Sequence, residues 1–341
     1  VPALPSPRRF SLRGMIPERF TLCLLGTVLL ASLLPVSGQV GKVFGDVTTG
    51  AIALLFFLHG AKLSRAAVLS GLSHWRLHLL VMASTFVLFP LIGVALKPLA
   101  LALFSPELYL GLLFLCLLPS TVQSSIALTA MARGNVSAAI CSASLSNFAG
   151  IFITPVLVGV LISHNGLASF SFDAVRRIVA QLLLPFVAGQ LLRPLIGAWV
   201  DHHKPMLKYV DQGSILLVVY VAFGEAVSAG LWSRLSGATL ASLLAACCML
   251  LALVLATATF ASRRMGFDKE DEIAIVFCGS KKSLASGVPM AKVLFATGSL
   301  GMVILPLMLF HQIQLMVCAV LAERYARRRV LAGPAVAQPP V

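Results

Sequence analysis

Ten apolar stretches of membrane-spanning length follow one another along this chain, and no segment between them is long enough to form a water-soluble domain. The first runs from Thr21 to Pro35; the others cover about residues 47–63, 78–96, 108–131, 136–162, 174–199, 214–230, 238–261, 273–294 and 302–321. Inside a bilayer each backbone N–H and C=O must be satisfied within the protein, and segments of this length do so as helices. With 59% hydrophobic and 11% charged residues, the apolar surface exceeds anything a soluble core could bury. The chain reads as an all-α polytopic membrane protein with ten transmembrane helices. Taken alone, Thr21 to Pro35 has the look of a signal-peptide core, but the many spans after it make it the first membrane helix.

The formal net charge of +14 is distributed by topology. Arg8, Arg9, Arg13, Arg19, Lys62, Arg65, Arg263, Arg264 and Arg327 to Arg329 fall at the termini and even-numbered loops, while the opposite side holds only Lys42, Lys97, Arg176, Arg177, Arg234 and Lys292. Positive residues stay cytoplasmic, so residues 1–19 form a cytoplasmic N-terminal segment, 20–321 the ten-span domain and 322–341 a cytoplasmic tail, in the plasma (inner) membrane. No soluble stretch gathers basic and aromatic residues as nucleic-acid binding requires, and the partner that the composition implies is the lipid bilayer. The seven cysteines lie in apolar segments without CxxC or zinc-like spacing, so neither a metal nor another cofactor is indicated.

Two spans are interrupted by polar residues. The ninth carries Cys278 to Gly287, with Ser280, Lys281, Lys282 and Ser283 at its centre; the fourth carries Pro119, Ser120, Thr121, Gln123, Ser124 and Ser125. A lysine at mid-membrane costs about 2.5–3.5 kcal/mol on insertion scales, so a pair of them marks a site. Clustered Gly and Ser favour an unwound segment that shows backbone groups to a polar cavity. The fourth span also fits a kinked helix satisfied by its own hydroxyls, and the lysines also fit an interfacial, snorkelling placement. The chain divides into halves of five spans, about 20–162 and 174–321, each broken in its fourth span. An odd number of spans inverts one half relative to the other, which brings the breaks together. Asn147 in span 5 is the polar residue of that helix most suited to face the cavity. Glu225, the one carboxylate well inside a span, is the natural charge partner for Lys281 or Lys282; near the outer leaflet it would reach the interface instead.

No GxSxG, HExxH or phosphate-binding glycine loop is present, and the chain is not read as an enzyme. Phe56 to Ser64, Leu118 to Ser125, Ala132 to Val136 and Gly279 to Ser283 together resemble the bile acid:sodium symporter family (solute carrier family 10), in its divergent branch typified by member 7 and its bacterial relatives. The resemblance runs from Arg13 to about Arg329. It implies two inverted five-helix repeats whose broken helices 4 and 9 cross in a core that moves against a panel. Sodium-coupled members bind the ion on spans 4, 5 and 9; aligned to them, this chain keeps Ser125 but has Ile126, Ala139, Ala143, Phe277 and Lys281 at the other positions. A lysine ammonium in place of the ion implies a built-in cation at the crossover, Lys281 together with Lys282. The resulting expectation is a secondary transporter of an organic anion or other small amphipathic solute, working by alternating access without sodium. The alternative is a transporter-fold protein that regulates a partner or ion homeostasis. The substrate residues expected are Ser120, Thr121, Gln123, Ser124, Ser125, Asn147, Ser280, Lys281, Lys282 and Ser283.

Overall fold

The computed structural model describes residues 19–36, 38–62, 74–164, 176, 179–228, 230–295 and 300–331; the two terminal segments and most of the polar connection after His164 lie outside them. Every regular element among the described residues is helical: α1 (Arg19–Leu33), α2 (Gly38–Lys62), α3 (Trp75–Ala95), α4 (Lys97–Leu103), α5 (Pro106–Leu117), α6 (Gln123–Met131), α7 (Val136–His164), α8 (Val179–His202), α9 (Lys204–Ser228), α10 (Leu231–Arg234), α11 (Gly237–Arg264), α12 (Lys269–Gly279), α13 (Leu284–Leu294) and α14 (Leu300–Leu331). Seven of these, α2, α3, α7, α8, α9, α11 and α14, are long and apolar enough to cross a membrane.

Local chemistry sets several helix starts. Ser105 caps α5 by accepting from the Leu108 amide at 3.4 Å, with Pro106 preset for the first turn. Ser236 caps α11 and Asp268 caps α12 in the same way, at 3.0 Å and 2.8 Å. Polar first turns also lengthen helices beyond their apolar runs: α9 begins at Lys204 rather than near 214. Its early charged residues are used, since Asp211 pairs with Lys62 of α2.

Helices α1, α2, α8 and α9 pack together, and α3, α5, α6, α7 and α11 to α14 form the other contact group, joined to the first through α9 against α13 and α14. Within the first group α2 and α8 approach almost backbone to backbone. A Cβ on Gly60 would strike the Phe186 carbonyl, and one on Gly189 the Phe57 carbonyl. Small residues permit this close approach where lipid offers no hydrophobic drive. In the second group α5 is buried on every side from Leu108 to Leu117, as an all-apolar helix must be.

The basic end of the second group is organised by Glu272. Its carboxylate accepts from Arg263 at 3.2 Å, Lys269 at 2.6 Å and the Tyr325 hydroxyl at 3.0 Å. Burial pushes this carboxyl up, but the hydrogen bonds from Arg263, Lys269 and Tyr325 outweigh it and hold the group below the usual glutamate range.

Candidate functional site

Helix α5 ends where Pro119 offers no N–H; the chain runs extended through Leu118 and restarts at Gln123. Helix α12 ends at Gly279, and α13 restarts at Leu284 under a cap from Ser283, whose hydroxyl accepts from the Ser286 amide at 3.2 Å. The two gaps meet. Ser283 N–H donates to the Pro119 carbonyl at 2.9 Å, and the Ser120 and Ser125 hydroxyls donate to the carbonyls of Cys278 and Phe277 at 2.5 Å and 3.1 Å. Ser84 of α3 donates to the Gly279 carbonyl at 2.9 Å. Each hydroxyl replaces a helical partner lost at the break, so the carbonyl end of α12 stays satisfied in a dry interior.

Gln314 of α14 holds the second gap from the other side. Its side-chain oxygen accepts from the Lys282 amide at 2.8 Å, and its nitrogen donates to the Lys282 carbonyl at 2.9 Å. One fully buried amide thereby supplies both backbone partners that Lys282 lacks outside a helix.

The Lys282 side chain is wholly buried, and its ammonium donates to the carbonyls of Thr85 at 2.8 Å, Cys116 at 2.9 Å and Leu118 at 2.7 Å. Three acceptors match three protons, which describes the charged form. Two of the carbonyls belong to the C-terminal end of α5, the partially negative end of that half-helix. The third exists because of Pro90. From Ser84 to Leu88 the helix widens into a π turn, in which the Phe89 amide reaches back to the Ser84 carbonyl. In that register the next amide would serve Thr85, but the next residue is Pro90, which has none. Lys282 supplies the missing donor, and its ammonium also lies 4.1 Å from the centre of the Phe89 ring.

Lys281, equally buried, turns the other way and donates to the Ser124 carbonyl at 3.0 Å, with its ammonium 5.7 Å from the centre of the Phe277 ring.

Beside the crossing lies a cavity of about 290 Å³. Thr121 lines it from the gap before α6, Gln123 and Ser124 from the start of α6, Ser283 and Ser286 from the start of α13, Asn147 from α7, and Lys208, Asp211 and Gln212 from α9; His59 and His311 complete its polar wall. Ser286 donates to the Asn147 side-chain oxygen at 2.7 Å, tying α13 to α7.

The expected residues therefore divide. Thr121, Gln123, Ser124, Asn147 and Ser283 reach the cavity, whereas Ser120, Ser125, Ser280, Lys281 and Lys282 lie behind its wall, their polar atoms consumed by the crossing itself. Glu225 needs correction as the lysines' partner. It is exposed and pairs with Lys292 at 3.1 Å, because the carbonyl cage and the Ser124 carbonyl take the two ammonium groups. Gln314, Ser84, Thr85, Lys208 and Asp211 were not foreseen. The signal available for Gln314 was an amide inside an apolar span, and for Thr85 a proline five residues on.

Residues 18–327 match the model of the SBF-like CPA transporter family. A Pseudomonas aeruginosa protein, PA2026, is 63% identical over 95% of this chain and 98% of its own length. YfeH of Escherichia coli K12, whose name marks it as a candidate symporter, is 56% identical over 92% of this chain and 94% of its own. The rat sodium/bile acid cotransporter 7 is 30% identical over 87% of this chain and 88% of its own.

Proposed function

Since the chain belongs to the SBF-like CPA transporter family, and is thus an integral membrane protein of a transporter family, we propose that it is a secondary transporter carrying a small organic anion or similar amphipathic solute by alternating access without sodium. One observation carries the reading: the first turns of α6 and α13, where both broken helices restart, line the same cavity. Helix N-termini present free N–H groups and partial positive charge, and paired half-helix N-termini receive anionic groups in transporters of broken-helix design. Lys208 adds a full positive charge on the opposite wall. A volume of about 290 Å³ sits at the lower end of ligand pockets, roughly 300–1,000 Å³, and suits a compact solute.

Independence from sodium rests on the lysines. Carbonyls at the C-terminal ends of half-helices coordinate sodium or protons in such transporters; here the carbonyls at the end of α5 hold the Lys282 ammonium instead. The role of built-in cation expected of Lys281 therefore passes to Lys282 in the cage, with Lys281 a second charge on the Ser124 carbonyl. Counting α5 with α6 and α12 with α13 as one broken span each, the helices support ten spans in two inverted sets of five. The basic residues support cytoplasmic termini in the plasma membrane, and in that orientation the cavity, beside Lys62 and Lys208, belongs to an inward-facing conformation.

The test is reconstitution. Anionic metabolites are first screened for those that raise the melting temperature of the purified protein. Uptake of these into proteoliposomes is then measured with sodium and pH gradients imposed separately. Uptake is expected with sodium absent on both sides; strict dependence on sodium overturns the proposal. A purified protein that moves no solute favours a regulatory role.

A further inference from the structure

A second concavity, of about 730 Å³, lies on the outer face between α11 and α14 and shares no lining residue with the candidate transport cavity. The two helices pack against each other and descend together, so residues equally far along them stand at similar depth. Leu255 and Phe260 form one wall, Val317 and Val320 the other, and Arg263 and Arg324 stand at the same end. From Leu255 to Arg263 is eight residues, about 12 Å of helix, so the groove has an apolar stem about that long below a basic head. Its walls are open to the surroundings: Phe260 is 70% exposed, Val317 43% and Val320 39%.

The charges at the head favour an anion. Arg263 shares Glu272 with Lys269, so that single carboxylate faces two cations. Arg324 forms no ion pair among the described residues, and Arg264 adds another exposed guanidinium at the end of α11. The second acid nearby, Glu323, pairs with Arg327 at 3.6 Å. A ligand that fits must be anionic at one end, aliphatic at the other, and arrive from within the membrane. We propose that this groove binds one anionic phospholipid, with its phosphate between Arg263 and Arg324 and an acyl chain along the wall from Phe260 to Leu255. Basic pockets between helices at the membrane surface are the usual means of holding such headgroups. The groove does not open on the candidate transport cavity, and the inference stands apart from the function proposed above.

The experiment uses the full chain in mild detergent, titrated with phosphatidylglycerol, phosphatidylcholine or inorganic phosphate, with bound lipid counted by native mass spectrometry and stability followed by thermal unfolding. Phosphatidylglycerol is expected to be retained at one copy and to raise the melting temperature, and the other two are not. In Arg324→Gln, whose exposed side chain leaves the fold intact, retention should weaken about fivefold, the share of one membrane-facing arginine. Val320→Trp keeps every charge but fills the stem, and should lose the lipid as well. Equal retention of phosphatidylcholine, an equal effect of inorganic phosphate, or undiminished binding in both variants overturns the proposal.

Discussion

Replacing Lys282 by methionine keeps most of the aliphatic stem against Phe89 and removes only the ammonium. Three buried carbonyls, those of Thr85, Cys116 and Leu118, then lose their donor. An acceptor left unsatisfied in the interior costs about 1–3 kcal/mol, so the three together cost about 6. Against this, the variant no longer buries a charge, and the several kcal/mol of desolvation that an enclosed ion costs return about half of that loss. The net expectation is a destabilisation of about 3 kcal/mol, which in a chain of this size lowers the melting temperature on the order of 5 °C. Scanning fluorimetry in detergent reads it directly. Because the emptied cage presents three carbonyl oxygens without a resident cation, sodium should restore part of the loss in the variant and have no effect on the wild type. A Lys282→Met protein that melts like the wild type in sodium-free buffer refutes the assignment of Lys282 as a structural cation.

Three other outcomes follow from the same structure. Gln314→Leu takes the amide partner from both the N–H and the C=O of Lys282 and leaves the N–H buried without an acceptor; a loss of about 1–3 kcal/mol in stability, together with lost uptake, is expected, and unchanged melting would show that the amide clamp is dispensable. Glu272, held below its ordinary value of 4.5, contributes stability that is full above that pH and is lost as the pH falls through the lowered value. Acid melting curves of the wild type should therefore drop below about pH 4.5, whereas Glu272→Gln should be less stable at neutral pH and lack that drop; parallel curves would contradict the ion cluster. Gly60→Ala forces α2 off the Phe186 carbonyl of α8, so the variant should show reduced yield and thermal stability on size exclusion and melting, and wild-type behaviour would mean the helices separate at little cost.

The helices were largely legible because apolar runs of spanning length admit one solution in lipid, and the breaks because Pro119 and the Gly-Ser clusters cannot continue a helix cheaply. The ends were less so. Hydropathy discards polar turns such as Lys204 to Asp211, although these are helical and line the cavity or pair with Lys62. Within the site, charge alone drew attention to Lys281 and Lys282, but their division of labour depends on partners more than a hundred residues away. That Pro90 strands the Thr85 carbonyl for a distant lysine is visible only once α3 and the crossing are packed. Glu225 was singled out by elimination among acids, which ignores that Lys292 on α13 reaches it at 3.1 Å.

The amide clamp of Gln314 bears on how the chain is made. Helices α12 and α13 have eleven residues each, about 16 Å, roughly half of the hydrocarbon thickness, so neither crosses a bilayer alone. The backbone groups of Lys282 between them find their partners on α14, which is synthesised after them, whereas the acceptors of the ammonium belong to α3 and α5, made much earlier. Synthesis therefore passes through an interval in which a charged, unpaired turn sits in or near the membrane with its cage built and its clamp absent. Closure of that turn by Gln314 can only follow the synthesis of α14, and until then the polar backbone of Lys282 lacks its amide partner in a setting that offers no water in exchange.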